Sequence, residues 1–99
     1  MRSDVRRCLV AYDIPDDRRR SRLAKLLESF GDRVQFSVFV VDGSPVILQR
    51  VRIAIGEKID PRCDSVLICD LGRVDQLDAR RFSYAGQQRN ITGPTDFII

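Results

Sequence analysis

The first thirty residues constrain the fold most, because an apolar strand there gives way to a charged helix across a proline-containing turn. Val5–Tyr12 predicts the strand, and its unbroken apolar second half is typical of burial on both faces. Ile14-Pro15 ends the strand, since a residue before proline is driven out of the α region. Asp16 or Asp17 then supplies the N-cap of a helix predicted over residues 17–30.

The predicted first helix separates apolar from basic residues. Arginines crowd its N-terminal half, where the helix dipole disfavours cations by roughly a few tenths of a kcal/mol each. Their placement therefore hints at a role other than helix stabilisation. Gly31 follows as the expected C-cap. The apolar stripe has helical spacing and comprises Leu23, Leu26, Leu27 and Phe30.

The middle of the chain predicts two strands, a second helix and a further strand. Arg33–Val41 is rich in valine and phenylalanine, and we divide it into two short strands joined around Phe36-Ser37. The second helix begins at Ser44-Pro45, with serine as N-cap and proline at the first position, and ends at Asp60-Pro61. Asp64–Leu71 is the next strand.

The C-terminal part carries weaker signals. Arg81–Tyr84 suggests a short strand, and the apolar end Phe97–Ile99 is expected to add to a sheet, in its own chain or in a partner's. We therefore expect a single domain over residues 1–99, with a core at about 5–71 and a C-terminal strand or extension at about 80–99.

The order strand, helix, strand, strand, helix, strand predicts a ferredoxin-like α+β sandwich, with two helices on one face of an antiparallel sheet and an extra C-terminal strand. The other face of such a sheet usually carries polar residues. Here Cys8–Tyr12, Val38–Val41 and Val66–Cys69 are apolar on both faces. We therefore expect a homodimer in which a second copy covers that face of the sheet.

Composition excludes several kinds of site. The chain has no histidine, which removes Ser-His and Cys-His nucleophiles and zinc sites built on imidazole. Its cysteines form no C-x-x-C pair, and the apolar surroundings of Cys8 and Cys69 predict buried, reduced thiols in a cytoplasmic protein. No apolar stretch approaches the roughly 20 residues of a membrane span, and the N-terminus lacks the apolar region of a signal peptide.

Basic residues are concentrated in residues 1–62, although the net charge of the whole chain is only +3. A polyanion would therefore bind there. A solvated helix face is the simpler interpretation of such a run, but guanidinium groups after an acidic turn also suit bidentate phosphate contacts. The predicted nucleic-acid contacts are Arg18, Arg19, Arg20, Arg22, Lys25 and Arg33.

Asp13 is the sharpest candidate for chemistry. It ends an apolar strand, where a carboxylate needs a partner or a metal; the alternative is a second capping acid for the helix. One aspartate cannot hold a catalytic Mg²⁺ alone, since such sites use one or two carboxylates with substrate phosphate and water. A two-fold dimer would bring Asp13 of each chain to its axis, and a shared ion would activate water without histidine.

The other candidates have simpler interpretations. Asp16 and Asp17 are interpreted as caps, and Asp70 as a solvated strand end. Phe36 and Phe39 are expected in the core or at an interface rather than beneath stacked bases. No RNP1-type aromatic pattern and no P-loop occur, which argues against sequence-specific single-strand recognition and against nucleotide-binding loops.

Three motifs occur in a fixed order. They are Tyr12-Asp13-Ile14-Pro15-Asp16-Asp17-Arg18-Arg19-Arg20, then Leu23-x-x-Leu26-Leu27 with Gly31, then Arg33-Val34-Gln35-Phe36-Ser37-Val38-Phe39. This combination resembles the second CRISPR-associated protein family, over roughly residues 5–71. Val40 departs from the pattern, since many members carry an acid there.

The resemblance implies a homodimer in antiviral defence that acts in spacer acquisition with the CRISPR integrase and binds double-stranded DNA, RNA or both. Members are described as Mg²⁺-dependent endoribonucleases, and some as acting on duplex DNA. Asp13 corresponds to the family's metal-binding aspartate, and Tyr12 is expected to support it. The residues similar to positions linked with nuclease activity are Arg20, Arg22, Arg33 and Phe39.

Two alternatives stay open beside the nuclease. The first is a structural DNA-binding adaptor of the integrase complex that has no catalytic activity. The second is a regulatory domain that binds a small ligand, which the arginine-rich start of the helix disfavours.

Overall fold

Two helices pack on one face of a four-stranded antiparallel sheet in the computed structural model, which describes residues 4–78 and 81–88. The strand order is β2-β3-β1-β4, as expected for a ferredoxin-like sandwich. The elements are β1 (Arg6–Asp13), α1 (Asp17–Glu28), β2 (Asp32–Gln35), β3 (Val38–Gly43), α2 (Pro45–Lys58) and β4 (Ser65–Arg73), followed by a 3₁₀ turn at Val74–Gln76.

β1 is a central strand that hydrogen-bonds to β3 on one side and to β4 on the other. Its even-numbered residues Cys8, Val10 and Tyr12 are buried under the helices. Because successive side chains of a strand alternate between faces, the odd-numbered residues that end in Asp13 belong to the other face. Asp13 is paired with Ser65 at the start of β4.

The helices begin where the capping residues predict. Asp16 caps α1 by accepting a hydrogen bond from the Arg19 backbone N–H at 2.9 Å. Ser44 caps α2, with Pro45 following, and accepts from the Ile47 N–H at 3.4 Å. The apolar stripes of both helices then fill the core with Leu23, Leu27, Leu48, Val51 and Ile55.

The division of the valine-rich segment around Phe36-Ser37 is confirmed. β2 and β3 form a hairpin across these two residues, and the Ser37 carbonyl accepts from the Tyr12 backbone N–H at 3.1 Å. We expected both phenylalanines in the core or at an interface, and the structure confirms the core position for Phe39. Phe39 is fully buried, whereas Phe36 at the tip of the hairpin is 73% exposed.

The second face of the sheet is partly covered by the chain itself. Phe82 and Tyr84 pack against Val34, Val38 and Val40, and the Tyr84 hydroxyl donates to the Val34 carbonyl at 3.2 Å. Residues 81–84 form no strand, contrary to our expectation. The side chains of Phe82 and Tyr84 pack on the face of the sheet instead. The predicted strand at 97–99 lies outside the described residues.

Part of that face stays open in the single chain. Leu67 is 61% exposed, and Cys69, which we expected to be buried, is exposed on the same strand. Cys8 is buried on the helix side, and all three thiols are free. This exposed apolar strip is the surface that a second copy would cover in the homodimer that we predict.

β4 is longer than the apolar run that predicted it. Asp70 does not mark a strand end: it lies within β4, and its carboxylate accepts from the Arg6 guanidinium on β1 at 2.9 Å. This ion pair joins the neighbouring strands β1 and β4. β4 therefore continues in the sheet beyond Asp70, as far as Arg73. A bulge at Arg7 and Cys8 accompanies the extension.

Gly31 serves close packing rather than helix capping. Ser29 is the C-cap of α1, and the backbone of Gly31 is not left-handed. A Cβ atom at Gly31 would lie 2.2 Å from the Val40 carbonyl oxygen and 2.9 Å from Val41 Cγ2. The return of the chain from α1 to β2 therefore requires a residue without a side chain.

We expect Gly31→Ala to lower the free energy of unfolding by about 1–3 kcal/mol, because the backbone of β3 must move. Gly56→Ala is the matched control, since a Cβ there meets nothing within 4 Å inside α2. It should raise the free energy of unfolding by about 0.5–1 kcal/mol. Urea denaturation followed by circular dichroism measures both, and equal effects would contradict the close-packing role.

Candidate nucleic-acid interface

Asp13 presents an exposed carboxylate at the end of β1. Within residues 4–78 and 81–88, no side chain forms a hydrogen bond or an ion pair with it. The capping alternative therefore fails for Asp13, since Asp16 caps the helix. The carboxylate is free to bind a cation or another chain.

The described residues of one chain do not supply a complete metal site. In the described part of the chain, no group of three or more histidine, cysteine or acidic residues is placed to hold a metal ion. A single carboxylate falls short of the ligand set that Mg²⁺ usually takes from protein and substrate. The donor that is present, a hard carboxylate oxygen, is nevertheless of the right chemical type.

Asp17 is the first residue of α1, and its carboxylate forms an ion pair with Arg20 one turn along the helix. Arg20 also donates to the Ile14 carbonyl at 2.9 Å. Asp17 thus positions Arg20, which stabilises the turn at Ile14-Pro15. Asp17 does not cap the helix. Arg20 keeps the turn after β1 in place.

Arg19 is committed to the fold. Its guanidinium donates to both carboxylate oxygens of Asp64, at 2.7 and 3.0 Å, and the Asp64 side chain is fully buried. The Asp60 backbone N–H donates to the same carboxylate at 2.7 Å. Such a bidentate pair fixes both position and angle, so it joins the start of α1 to the start of β4. We therefore leave Arg19 out of the proposed interface.

This contact also sets the ionisation of Asp64. The hydrogen bond from Arg19, aided by the Asp60 N–H, holds the pKa of the Asp64 carboxyl below its usual range, because both donors favour the charged form. The same pairing raises the pKa of Arg19.

Tyr12 lies at the centre of a polar and aromatic cluster on the helix side of the sheet. Its ring stacks on Phe39 with centroids 6.3 Å apart, and its hydroxyl meets the Phe36 carbonyl at 3.5 Å and Arg33 Nη2 at 3.4 Å. The Arg33 guanidinium lies 5.0 Å from the centre of the Phe39 ring and 5.8 Å from that of Phe36. Tyr12 and Phe39 thus contact the Arg33 side chain and hold it in position.

A groove of about 390 Å³ opens between α1 and the β2–β3 hairpin, above this cluster. Arg20, Lys25 and Arg33 contribute three cations to its lining, against the single acid Glu28. Phe36 forms part of the wall. The groove therefore combines positive charge with an exposed aromatic ring.

The remaining cations of α1 extend the basic surface beyond the groove. Arg18, Arg22 and Lys25 are exposed, as the sequence predicts. Lys25 also borders a second depression of about 310 Å³, shared with Arg22 and with Lys58 at the end of α2. Lys25 thus borders both basic depressions.

Sequence reasoning missed Lys58 as a member of this surface. Lys58 is far from the arginine run in the chain, and only the packing of α2 beside α1 brings it there. Phe36 was expected in the core or at an interface, because it lies in the valine-rich segment. The hairpin around Phe36-Ser37 was the available signal, since residues at a hairpin tip face solvent.

The described part of the chain contains no helix long and apolar enough to cross a bilayer.

Comparison with known proteins gives consistent matches. The sequence profile described as "CRISPR associated protein Cas2" matches residues 6–78. The "CRISPR-associated endoribonuclease Cas2 4" of Rhodospirillum rubrum is 40% identical over 77 residues, which are 72% of this chain and 62% of that protein. This chain therefore spans less than two thirds of that relative. The "CRISPR-associated endonuclease Cas2 2" of Thermus thermophilus is 73% identical over 69 residues, covering 69% of this chain and 77% of the relative.

A solved structure agrees with these matches. The crystal structure of Streptococcus pyogenes Cas2 superposes with a TM-score of 0.69 at 30% identity, covering 81% of this chain and 99% of that one. The similarity therefore extends over the whole sandwich.

We expect Asp64→Asn to destabilise the protein at neutral pH, because a buried carboxylate that accepts hydrogen bonds from the Arg19 guanidinium and the Asp60 N–H is lost. A carboxyl whose pKa is lowered by folding contributes stability above its unfolded pKa of about 3.9, and loses it as the pH falls through the folded value. The difference in unfolding free energy between the wild type and Asp64→Asn should therefore shrink in acid. Urea titrations at a series of pH values measure it.

Asp75→Asn is the control for loss of one charge, since it removes a half-exposed carboxylate paired with Arg73 at 2.7 Å. A wild-type advantage over Asp64→Asn that is the same at every pH would show that the Arg19 pair is not its source.

Proposed function

Because this chain belongs to the CRISPR-associated protein Cas2 family, we propose that it binds nucleic acid and acts in the cytoplasm, in spacer acquisition with the CRISPR integrase. We further propose Mg²⁺-dependent hydrolysis of phosphodiester bonds. The observation that carries this activity is the exposed, unpaired Asp13 at the end of the central strand. The endonuclease and endoribonuclease names of the relatives support it.

A homodimer would complete the site. Asp13 belongs to the same face of the sheet as the exposed Leu67, so a second copy packed on that face could bring a second Asp13 close to the first. Two carboxylates with substrate phosphate and water meet the needs of one Mg²⁺. When bound there, the ion would activate water and neutralise charge at phosphorus.

The chain's own residues would bind and orient the substrate. Arg18, Arg22 and Lys25 are exposed cations of α1 and would contact backbone phosphates of the nucleic acid. Arg33, supported by Tyr12 and Phe39, is held in place and suits a phosphate contact of fixed geometry. Positioning of the phosphodiester is thus separate from the carboxylate that holds the ion.

The structural adaptor is the second candidate function. The absence of a complete metal cluster in the described residues of one chain favours it, because duplex binding needs only the exposed cations. Both functions require the same basic surface. The nuclease requires the Asp13 carboxylate, whereas the adaptor does not.

We expect Asp13→Asn to reduce Mg²⁺-dependent cleavage to background while duplex binding is retained, because the variant keeps every cation. Cleavage of labelled RNA and duplex DNA, with and without EDTA, measures the activity. Sedimentation equilibrium of the wild type and the variant is the control, and both should be dimers. If the wild type cleaves neither substrate with any divalent cation, the nuclease function is rejected and the adaptor function remains. If the wild type is a monomer, a metal site shared by two Asp13 residues is excluded.

We expect the double variant Arg18→Gln, Arg22→Gln to weaken duplex binding and to reduce the slope of log K against log salt by about 1.8, since each lost phosphate contact removes roughly 0.9. Arg50→Gln, Arg52→Gln is the matched control, because it removes two exposed arginines from α2. Fluorescence anisotropy over a salt series measures both. Equal losses would mean that the net charge, and not the α1 surface, drives binding.

A further inference from the structure

Ser65 lies directly opposite Asp13 in the sheet. The two residues are Cα partners in the antiparallel pairing of β4 with β1, and both are exposed. Directly opposite side chains extend from the same face of a sheet, and their Cβ atoms are about 4.5–5.5 Å apart. A serine hydroxyl and an aspartate carboxylate at that separation can form a hydrogen bond, because both side chains extend beyond Cβ. The register therefore places a hydroxyl within reach of the carboxylate.

Both polar groups are available in the single chain. Within residues 4–78 and 81–88, neither the Ser65 hydroxyl nor the Asp13 carboxylate has a hydrogen-bond or ion-pair partner. Other polar residues near these strand ends are used by the fold, since Asp16 caps α1 and Asp64 binds Arg19. Asp13 and Ser65 have no comparable structural task in the described part of the chain.

Ser65 belongs to the face of the sheet that a second copy would cover. Val66 and Ile68 pack against the core beneath the helices, and strand residues alternate between faces. Ser65 therefore lies on the same face as Leu67, which is 61% exposed. In the proposed homodimer, each Asp13 would approach the shared ion with the Ser65 of its own chain beside it.

The backbone next to Ser65 is held in place by a buried ion pair. Both carboxylate oxygens of Asp64 accept from the Arg19 guanidinium, at 2.7 and 3.0 Å, and the Asp64 side chain is fully buried. Because Asp64 directly precedes Ser65, this bidentate contact fixes the point at which β4 begins. The position of Ser65 is thus set before any ligand binds.

The backbone next to Asp13 is held in a similar way. Ile14 is 3% exposed, and its carbonyl accepts from the Arg20 guanidinium at 2.9 Å. Two consecutive arginines of α1, Arg19 and Arg20, therefore anchor the residues that adjoin Ser65 and Asp13. Groups anchored on regular strands keep a more precise geometry than groups on loops.

A carboxylate that binds a metal ion is usually oriented by a hydrogen bond from a neighbouring group. We infer that Ser65 is a positioning residue for Asp13, and that its hydroxyl donates to one carboxylate oxygen when the other oxygen binds a divalent cation. The inference rests on the proposed Mg²⁺-dependent function and adds a residue to the same site. Ser65 acts through Asp13 and does not itself contact the ion.

The test compares Ser65→Thr with Ser65→Val, which have nearly the same shape and differ in the hydroxyl. Mn²⁺ is the probe, because the electron paramagnetic resonance signal of the free ion reports binding without nucleic acid and without turnover. Ser65→Val should bind Mn²⁺ about 10- to 100-fold more weakly than the wild type, which is the usual loss when the hydrogen-bond partner of a metal ligand is removed. Ser65→Thr should bind as the wild type does, and Asp13→Asn defines the background.

A second measurement uses the Mg²⁺ dependence of RNA cleavage. The Mg²⁺ concentration for half-maximal cleavage should rise for Ser65→Val by a similar factor and stay unchanged for Ser65→Thr. Ser29→Ala is the matched control for loss of an exposed serine hydroxyl, since that hydroxyl donates to the Leu26 carbonyl at the end of α1. It should change neither the Mn²⁺ affinity nor the Mg²⁺ dependence.

Each contrary result has a distinct meaning. If the wild type binds Mn²⁺ no better than Asp13→Asn and does not cleave, the proposed nuclease function fails together with the inference. If the wild type binds Mn²⁺ and Ser65→Val binds it equally well, only the role of Ser65 fails. If Ser65→Val loses Mn²⁺ together with the dimer in sedimentation equilibrium, Ser65 serves the subunit contact and the inference is overturned.

Discussion

The central position of β1 is the constraint on which the rest of the structure depends. Hydrogen bonds to β3 and β4 on its two edges fix the register of the strand, and alternation then fixes which residues face the helices. Tyr12 is consequently buried as the support of the basic groove, while Asp13, the next residue, belongs to the opposite face. Two adjacent residues thus serve two different surfaces. A shift of register by one residue would exchange them.

The arginine-rich start of α1 is divided by its neighbours into structural and exposed residues. Arg19 is held by the buried Asp64, and Arg20 by Asp17 and the Ile14 carbonyl. Arg18 and Arg22 are exposed and make no such contacts with residues 4–78 or 81–88. For Arg19 the physical reason is desolvation, since a turn towards a phosphate would leave the buried Asp64 carboxylate uncompensated. The Asp17 carboxylate is exposed, so Arg20 is held by its own contacts with Asp17 and the Ile14 carbonyl. Identical side chains in one helical turn therefore have different roles.

The sandwich could be predicted because its signals are local. The proline turn, the two capped helices and the split of the valine-rich segment each depend on a few adjacent residues. The errors share one cause, which is that burial depends on distant parts of the chain. Phe36 and Cys69 lie in apolar segments yet are exposed, and residues 81–84 pack on the face of the sheet instead of forming a strand. Asp70 lies within β4, where its carboxylate pairs with Arg6 on the neighbouring strand.

The sequence alone determined the order of the elements and the acidic turn with its arginine helix, and it predicted Asp13 as the candidate carboxylate for chemistry. These follow from periodicity, capping and composition, which act over a few residues. Only the tertiary structure decided which cations are free, that Lys58 joins the α1 surface, and that Phe36 borders a groove. Each of these depends on contacts between residues far apart in the chain. Such contacts exist only after α1, α2 and the hairpin have packed on the central strand.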